Sequence, residues 1–176
     1  MRIVSGTHKG RPIRLPSDFH ARPTTDFAKV SLFNILNNYY EFEGLTVLDL
    51  FAGTGSISYE FASRGAKRVE PVESYQANYT FIVKTVQEFK LNAIRPLKGD
   101  VFLFLKKNHA KYDVIFADPP YDLEGINTIP DLVFANGMLN DNGMLVIEHS
   151  SGIDFSGHPH FKEKREYGSV NFSFLV

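Results

Sequence analysis

The stretch FADPPYD, residues 116–122, closes an apolar run with an acid, two prolines and an aromatic ring. Proline has no N–H, so Pro119 and Pro120 make the turn stiff and poor in donors. The Asp118 carboxylate and the turn's carbonyls then form a pocket of acceptors, with the ring of Tyr121 as a flat face beside it. Such a pocket suits the planar exocyclic amine of a nucleobase. When fixed acceptors hold both N–H groups, the nitrogen can pyramidalise and point its lone pair at an electrophile as positive charge develops. Asp118 is therefore read as an acceptor and eventual proton sink, not a nucleophile. A base inside a duplex or folded RNA would have to be flipped out to reach it. The plainer alternative is a rigid turn with a capping aspartate.

A second constellation is VLDLFAGTGS, where an apolar run meets Gly53 and Gly55 before a helical segment. Glycine permits a tight turn and a close approach of ligand to backbone. The third glycine of G-x-G-x-x-G is missing, since Ser58 stands there, so the turn alone fits a structural role as well as a ligand loop. Acids add to it. Asp49 precedes the glycines, Glu73 lies about 20 residues on, where dinucleotide folds place an acid on the ribose, and Asp100 follows Gly99. Singly each acid reads equally as a cap or a solvated loop residue. Together they form a row of acceptors for an ammonium, a ribose and an adenine amine, and they would repel a pyrophosphate. S-adenosylmethionine, cationic at sulfur and free of phosphate, fits this row better than NAD. The candidate cofactor contacts are Asp49, Phe51, Gly53, Gly55, Glu73, Asp100 and Val101.

The elements that must position these groups are legible in the pattern. RIVSG and RPIRL flank the turn THKG, which predicts a short N-terminal β-hairpin. From Thr25 a helical period places Phe27, Val30, Phe33, Leu36 and Tyr40 on one face, after the caps Thr24, Thr25 and Asp26. TVLDLF reads as a strand, followed by a helix ending near Arg64 and Gly65. RVEPVE is a strand despite Pro71, and Tyr75, Tyr79, Ile82, Val86 and Phe89 line a long helix. IRPLKG reads as an edge strand that tolerates Pro96, and Asp100 can cap VFLFLKK. YDVIFAD has the continuous apolar character of a strand buried on both faces. A helix over 129–135, the strand GMLVIEH and a closing antiparallel hairpin from HFKEKREY to SVNFSFLV complete the chain. Repeated strand–helix alternation predicts an α/β, Rossmann-like, mostly parallel sheet.

Composition sets the remaining bounds. At 176 residues, 43% hydrophobic and 22% charged, the chain has the length and balance of one domain. Residues 1–24 read as a basic hairpin extension and residues 25–176 as the core. No apolar stretch is long enough to span a bilayer, and the first residues lack a signal pattern, so a cytoplasmic protein is expected. With no cysteine there are no disulfides or thiolate metal sites. The six histidines lack metal-type spacing, apart from His158 and His160 in a loop, and no metal is expected. The net charge of -1 hides an asymmetry: residues 1–30 carry Arg2, Lys9, Arg11, Arg14, Arg22 and Lys29 against Asp18 and Asp26. That end is read either as a solvated surface or as a contact with a polyanion.

The order of DLFAGTGS and DPPY resembles class I S-adenosylmethionine-dependent amino-methyltransferases. MRIVSGTHKGRPIRLP, then ARPTTDFAKVSLFNIL, VIEHS and YGSVNFSFL, resemble the RsmD family of bacterial small-subunit ribosomal RNA guanine-N2 methyltransferases over essentially the whole chain. The resemblance implies a seven-stranded sheet, methylation of the guanine exocyclic amine and a basic hairpin that helps dock the RNA. It implies Asp118, Pro119, Pro120 and Tyr121 as the catalytic loop, and Arg22, Pro23 and Thr24 beside it. Arg11, Arg22, Thr24 and Lys29 are the expected substrate contacts. The expected partner is ribosomal RNA, naked or in an assembling small subunit, and the expected state is a monomer. The chain departs from the family pattern at Phe27, where an arginine is usual, at Pro71 within a strand, and in its low overall charge. The competing readings are a DNA adenine or cytosine amino-methyltransferase, a catalytically silent RNA-binding module and a nicotinamide oxidoreductase.

Overall fold

Alternate residues of the apolar runs face opposite layers, and this arranges the whole chain. In the computed structural model, which describes residues 1–16 and 25–176, β1 (Thr46–Leu50) lies beside β4 (Tyr112–Ala117) in parallel. Val47, Val114, Phe116 and Val146 enter one core, while Leu48, Leu50, Ile115 and Leu145 enter the other. Each such side chain contributes about 1.5–3 kcal/mol when fully buried, so both faces must be covered by helices.

They are covered from both sides. α1 (Asp26–Leu36), α2 (Ser56–Ser63) and α3 (Gln76–Phe89) supply Leu32, Phe33, Ile57, Phe61 and Ile82 to the first core. α4 (Val101–Lys107) and α5 (Ile129–Ala135) supply Val101, Leu105, Ile129 and Val133 to the second. With β2 (Arg68–Glu73), β3 (Leu97–Lys98), β5 (Leu139–His149), β6 (Phe161–Tyr167) and β7 (Val170–Leu175), the sheet has the order β3-β2-β1-β4-β5-β7-β6. The first five strands are parallel, and β7 runs antiparallel between β5 and β6. The chain moves outward from β1 through β2 to β3, then returns to β4 on the other flank. That reversal opens a crevice at the carboxyl ends of β1 and β4.

Pro71 fits because of where its missing donor points. It sits in β2 opposite Asp49 of β1. The backbone of Val69 bonds Ala93 and Arg95, and the carbonyl of Glu73 accepts from Gly99, all on the outer flank. Residue 71 shares that parity, so its nitrogen faces the two-residue edge strand β3 and costs no bond to β1.

Two helix faces differ from the periodic reading. α1 buries Ala28, Lys29, Leu32, Phe33 and Leu36, whereas Phe27 is 66% exposed and Val30 38% exposed. The expected stripe follows apolar residue types, but the inward stripe contains a lysine. On α3, Ile82, Thr85 and Phe89 are buried, while Tyr75 is the exposed N-cap residue.

The lysine is buried because the N-terminal segment covers it. Arg2 bridges Pro12 in an antiparallel pair, and the turn over residues 6–10 closes the hairpin. The hairpin lies along α2. Val4 N–H donates to the Glu60 carboxylate at 2.9 Å, and the Ser63 hydroxyl donates to the Ser5 carbonyl at 2.6 Å while accepting from His8 N–H at 2.9 Å. Lys29 Nζ donates to the Arg2 carbonyl at 2.6 Å and to the Ser56 hydroxyl at 3.3 Å. Desolvation lowers its pKa, opposed by Glu60 and Asp26. Lys29 is thus a structural pin, which corrects its expected role as a substrate contact.

Lys29→Ala removes these bonds and leaves the Arg2 carbonyl unpaired. We expect a loss of about 2–3 kcal/mol in urea unfolding, with faster tryptic cleavage after Lys9 and Arg14. Unaltered stability would mean that the hairpin is held without this pin.

Candidate active site

Five parallel strand ends and the β6–β7 turn surround a cavity of about 660 Å³, within the usual range for small-molecule sites. Phe51 and Gly53 enter it after β1, Glu73 at the end of β2 with Ser74, Tyr75 and Asn78 beyond it, and Asp100, Val101 and Phe102 after β3. Residues 118–121 and Leu123 follow β4, and Glu148 lies near the end of β5. Thr25, the N-cap of α1, and Ala28 in its first turn also line the cavity, as do Ser169 and Val170 at the β6–β7 turn.

The glycine turn takes left-handed backbone at Phe51 (φ 59°), Gly53 (φ 55°) and Gly55 (φ 80°). A Cβ on Gly55 would lie 2.7 Å from the Tyr59 ring, so close packing requires glycine there. Glu73 stiffens the turn. One carboxylate oxygen accepts from Gly53 N–H and the other from Tyr75 N–H, each at 2.7 Å. A carboxylate has about four acceptor positions, so two remain for hydroxyl donors in the cavity. Asp100 caps α4 through Leu103 N–H at 2.9 Å and still lines the cavity.

Asp49 does not join this row of cavity acids. Its carboxylate is buried beneath the turn and accepts from Ser58 N–H at 3.1 Å and from the Ser58 hydroxyl at 2.6 Å. It therefore anchors the first turn of α2, where a negative charge is favoured. Gly55 also shapes the turn without lining the cavity.

At the end of β4, Asp118 N–H reaches the Leu50 carbonyl at 3.3 Å, which ties the loop to β1. The acceptor set is smaller than the sequence implies, because Leu123 N–H bonds the Pro120 carbonyl at 3.0 Å. The carboxylate of Asp118 and the carbonyls of Asp118 and Pro119 are the groups at the stiff end of the turn. Tyr121 is 46% exposed at the rim. Burial pushes the carboxyl pKa of Asp118 well above the ordinary range, and burial together with the nearby charge of Asp118 does the same to Asp49.

Several cavity residues escape the sequence reading. Glu148 is 5% exposed, and the Ala117–Ile147 register places it beside Asp118. The strand-end rule that singles out Glu73 and Asp118 finds it when extended to β5. The helical period puts Tyr75 in a core stripe, and Thr25 reads only as a cap. Conversely, Arg11 lies away from the cavity, with its guanidinium 3.7 Å above the Phe89 ring. Phe89 ends α3, about 20 Å along the helix from Tyr75. Arg22 and Thr24, with Pro23, lie outside the described residues. Among the described residues no group of three or more His, Asp or Glu could hold a metal, and no helix is long and apolar enough to cross a membrane.

Comparison with known proteins places this architecture. The family model described as Conserved hypothetical protein 95 matches residues 1–176. Ribosomal RNA small subunit methyltransferase D of Haemophilus influenzae is 31% identical over 152 residues, covering 84% of this chain and 78% of that protein. A solved structure of a hypothetical protein from Thermus thermophilus superposes with a TM-score of 0.84 at 25% identity, covering 99% of this chain and 98% of that one. A protein described as a putative methyltransferase, solved in complex with SAH, shares the fold at a TM-score of 0.64 and 19% identity, over 83% of this chain and 48% of that one.

The raised pKa values carry a signed consequence. A carboxyl whose folded pKa exceeds its unfolded value contributes stability that is complete below the unfolded value and is lost as pH rises through the folded one. Asp118→Asn cannot ionise, so its stability relative to the parent should grow between about pH 5 and about pH 8, by on the order of 1–2 kcal/mol. A difference in urea midpoints that stays flat with pH would show that Asp118 ionises in the fold without penalty.

Proposed function

The chain belongs to the Conserved hypothetical protein 95 family, and we propose that it transfers a methyl group from S-adenosylmethionine to the exocyclic N2 amine of a guanine in small-subunit ribosomal RNA. The observation that carries the reading is the stiff, acceptor-rich end of β4, Asp118 to Tyr121, in a cavity at the sheet's switch point. The name of the Haemophilus influenzae relative supports a ribosomal RNA substrate. On this reading the protein works in the cytoplasm, on naked RNA or on an assembling subunit.

The two halves of the cavity suit two ligands. Glu73, Tyr75 and Asp100 offer acceptors and an aromatic face, which fit the ribose and adenine of S-adenosylmethionine. When bound, that cofactor supplies an electrophilic methyl on a sulfonium, and its sulfur leaves as a neutral thioether. The target amine lies between the Asp118 carboxylate and a carbonyl of the prolyl turn, so both N–H groups point at fixed acceptors. Its lone pair is then free for in-line attack, a reaction governed chiefly by positioning and charge stabilisation. As the N–C bond forms, the nitrogen becomes positive and acidic, and Asp118 can take the proton. A carboxyl with a raised pKa is better matched to that task than an ordinary one.

Glu148 favours guanine over the alternatives. Beside its amine guanine presents a ring N–H, whereas adenine and cytosine present a ring nitrogen with a lone pair. A second buried carboxylate next to Asp118 matches consecutive donors and opposes a lone pair. This chemistry disfavours a DNA adenine or cytosine methyltransferase.

Asp118→Ala should lower kcat by about 10²–10³-fold while S-adenosylmethionine affinity stays within a few-fold. Activity equal to the parent's would remove Asp118 from the mechanism. Substrate identity is tested by mapping methylated nucleotides in small-subunit ribosomal RNA from cells with and without the protein. One guanine N2 mark should vanish in its absence; if every such mark persists, the assignment is wrong.

A further inference from the structure

An aromatic pair adjoins in sequence two of the segments that line the cavity. Thr25 and Ala28 line the cavity from α1, and between them in sequence stands Phe27, 66% exposed. Ser169 and Val170 line it from the β6–β7 turn, and Tyr167 ends β6 just before that turn. The rings of Phe27 and Tyr167 meet edge to face, with centroids 6.2 Å apart and planes at 75°. Tyr167 is backed by the fully buried Phe172, with centroids 6.2 Å apart. Phe27 is therefore a ring braced from one side and open to solvent on the other. Val30, one turn further along α1, extends the same exposed strip.

We propose that Phe27, braced by Tyr167, is the stacking platform for an unpaired RNA base adjacent to the guanine that enters the cavity. The inference rests on the reading of the cavity as an RNA methyltransferase site. Extruding a base breaks its stacking on both neighbours, and an exposed ring at the mouth can replace one of those contacts. Stacking on an aromatic ring tolerates any base and is worth about 1–3 kcal/mol. It also needs no charge. The cavity is lined by Asp100, Asp118 and Glu148, which would repel a phosphate, so a neutral contact suits its approach better than drawing the backbone inward. Asp26, the residue before Phe27, holds the Arg2 guanidinium at 3.0 Å, so that cation is already engaged.

The test uses the full-length protein with protein-free small-subunit ribosomal RNA lacking the mark, and the variants Phe27→Ala, Phe27→Leu and Phe27→Trp. The alanine and leucine variants should weaken RNA binding roughly 5- to 100-fold, with S-adenosylmethionine affinity and thermal midpoint kept, and the tryptophan variant should restore binding. The slope of log affinity against log salt should not change, because no phosphate contact is lost. Three results would overturn the platform: parental binding by the leucine variant, which makes the contact merely apolar; a shallower salt slope in the alanine variant; or a defect confined to protein-containing particles, which would point to a protein partner. If the parent neither binds nor methylates this RNA, the functional reading itself fails, a result separate from any difference among the variants.

Discussion

The turn between β1 and α2 is held from below and from the side by carboxylates, and the geometry of the whole cavity follows from that. Asp49 accepts from the Ser58 hydroxyl at 2.6 Å and fixes the start of α2, while Glu73 accepts from Gly53 and Tyr75 and joins the ends of β1 and β2. The Gly53 N–H is paired with Glu73 and the Ser58 N–H with Asp49, so these donors are not open to a phosphate. The turn therefore presents a filled, negative surface, which suits hydroxyls, an amine or a sulfonium. The cost is a set of buried acids whose charged forms are disfavoured. That cost falls on Asp49 and Asp118, the two nearest the switch point.

The same economy of polar contacts explains α2. Its sequence, SISYEFAS, gives little sign of a buried helix, yet Ser56, Ser58, Glu60 and Ser63 are all buried. Each meets a polar partner: Ser58 meets Asp49, Ser56 meets Lys29, and Glu60 and Ser63 meet the N-terminal hairpin. Glu60 also holds Arg64 at 2.9 Å, and the Arg64 guanidinium lies 4.4 Å from the Phe33 ring, carrying the contact into the core. The hairpin is thus part of the packing rather than a loose basic arm. Its turn sits by Ser63, at the end of α2 remote from the cavity.

These contacts mark the limit of what the sequence discloses. Strand positions, their order of appearance and the acids at strand ends are local signals, set by period-two burial and by turn chemistry, and they are readable from one chain. Asp118 and Glu73 emerge that way. What the sequence hides is long-range. Lys29 reads as a surface cation until the hairpin folds over it, Arg11 as a phosphate contact until it lies on Phe89, and Phe27 as core because an apolar type at helical spacing says nothing about which side is covered. Glu148 is hidden for a different reason: the antiparallel β7 lies against its strand, so β5 does not end in a recognisable βα turn.

Electrostatics then divide the labour of recognition under the proposed function. A cavity walled by Glu73, Asp100, Asp118 and Glu148 cannot attract an RNA backbone. It admits only a part of the nucleic acid that is uncharged and rich in donors, and the Watson–Crick edge of guanine fits both terms. Attraction to the polyanion must come from outside the cavity, where Arg14 is exposed on the N-terminal segment. A low net charge of -1 is then no contradiction for a protein that handles RNA. On this reading the acids would select the base and peripheral cations would hold the strand. Binding need not be strongly attractive everywhere, because discrimination depends on what the acidic interior excludes.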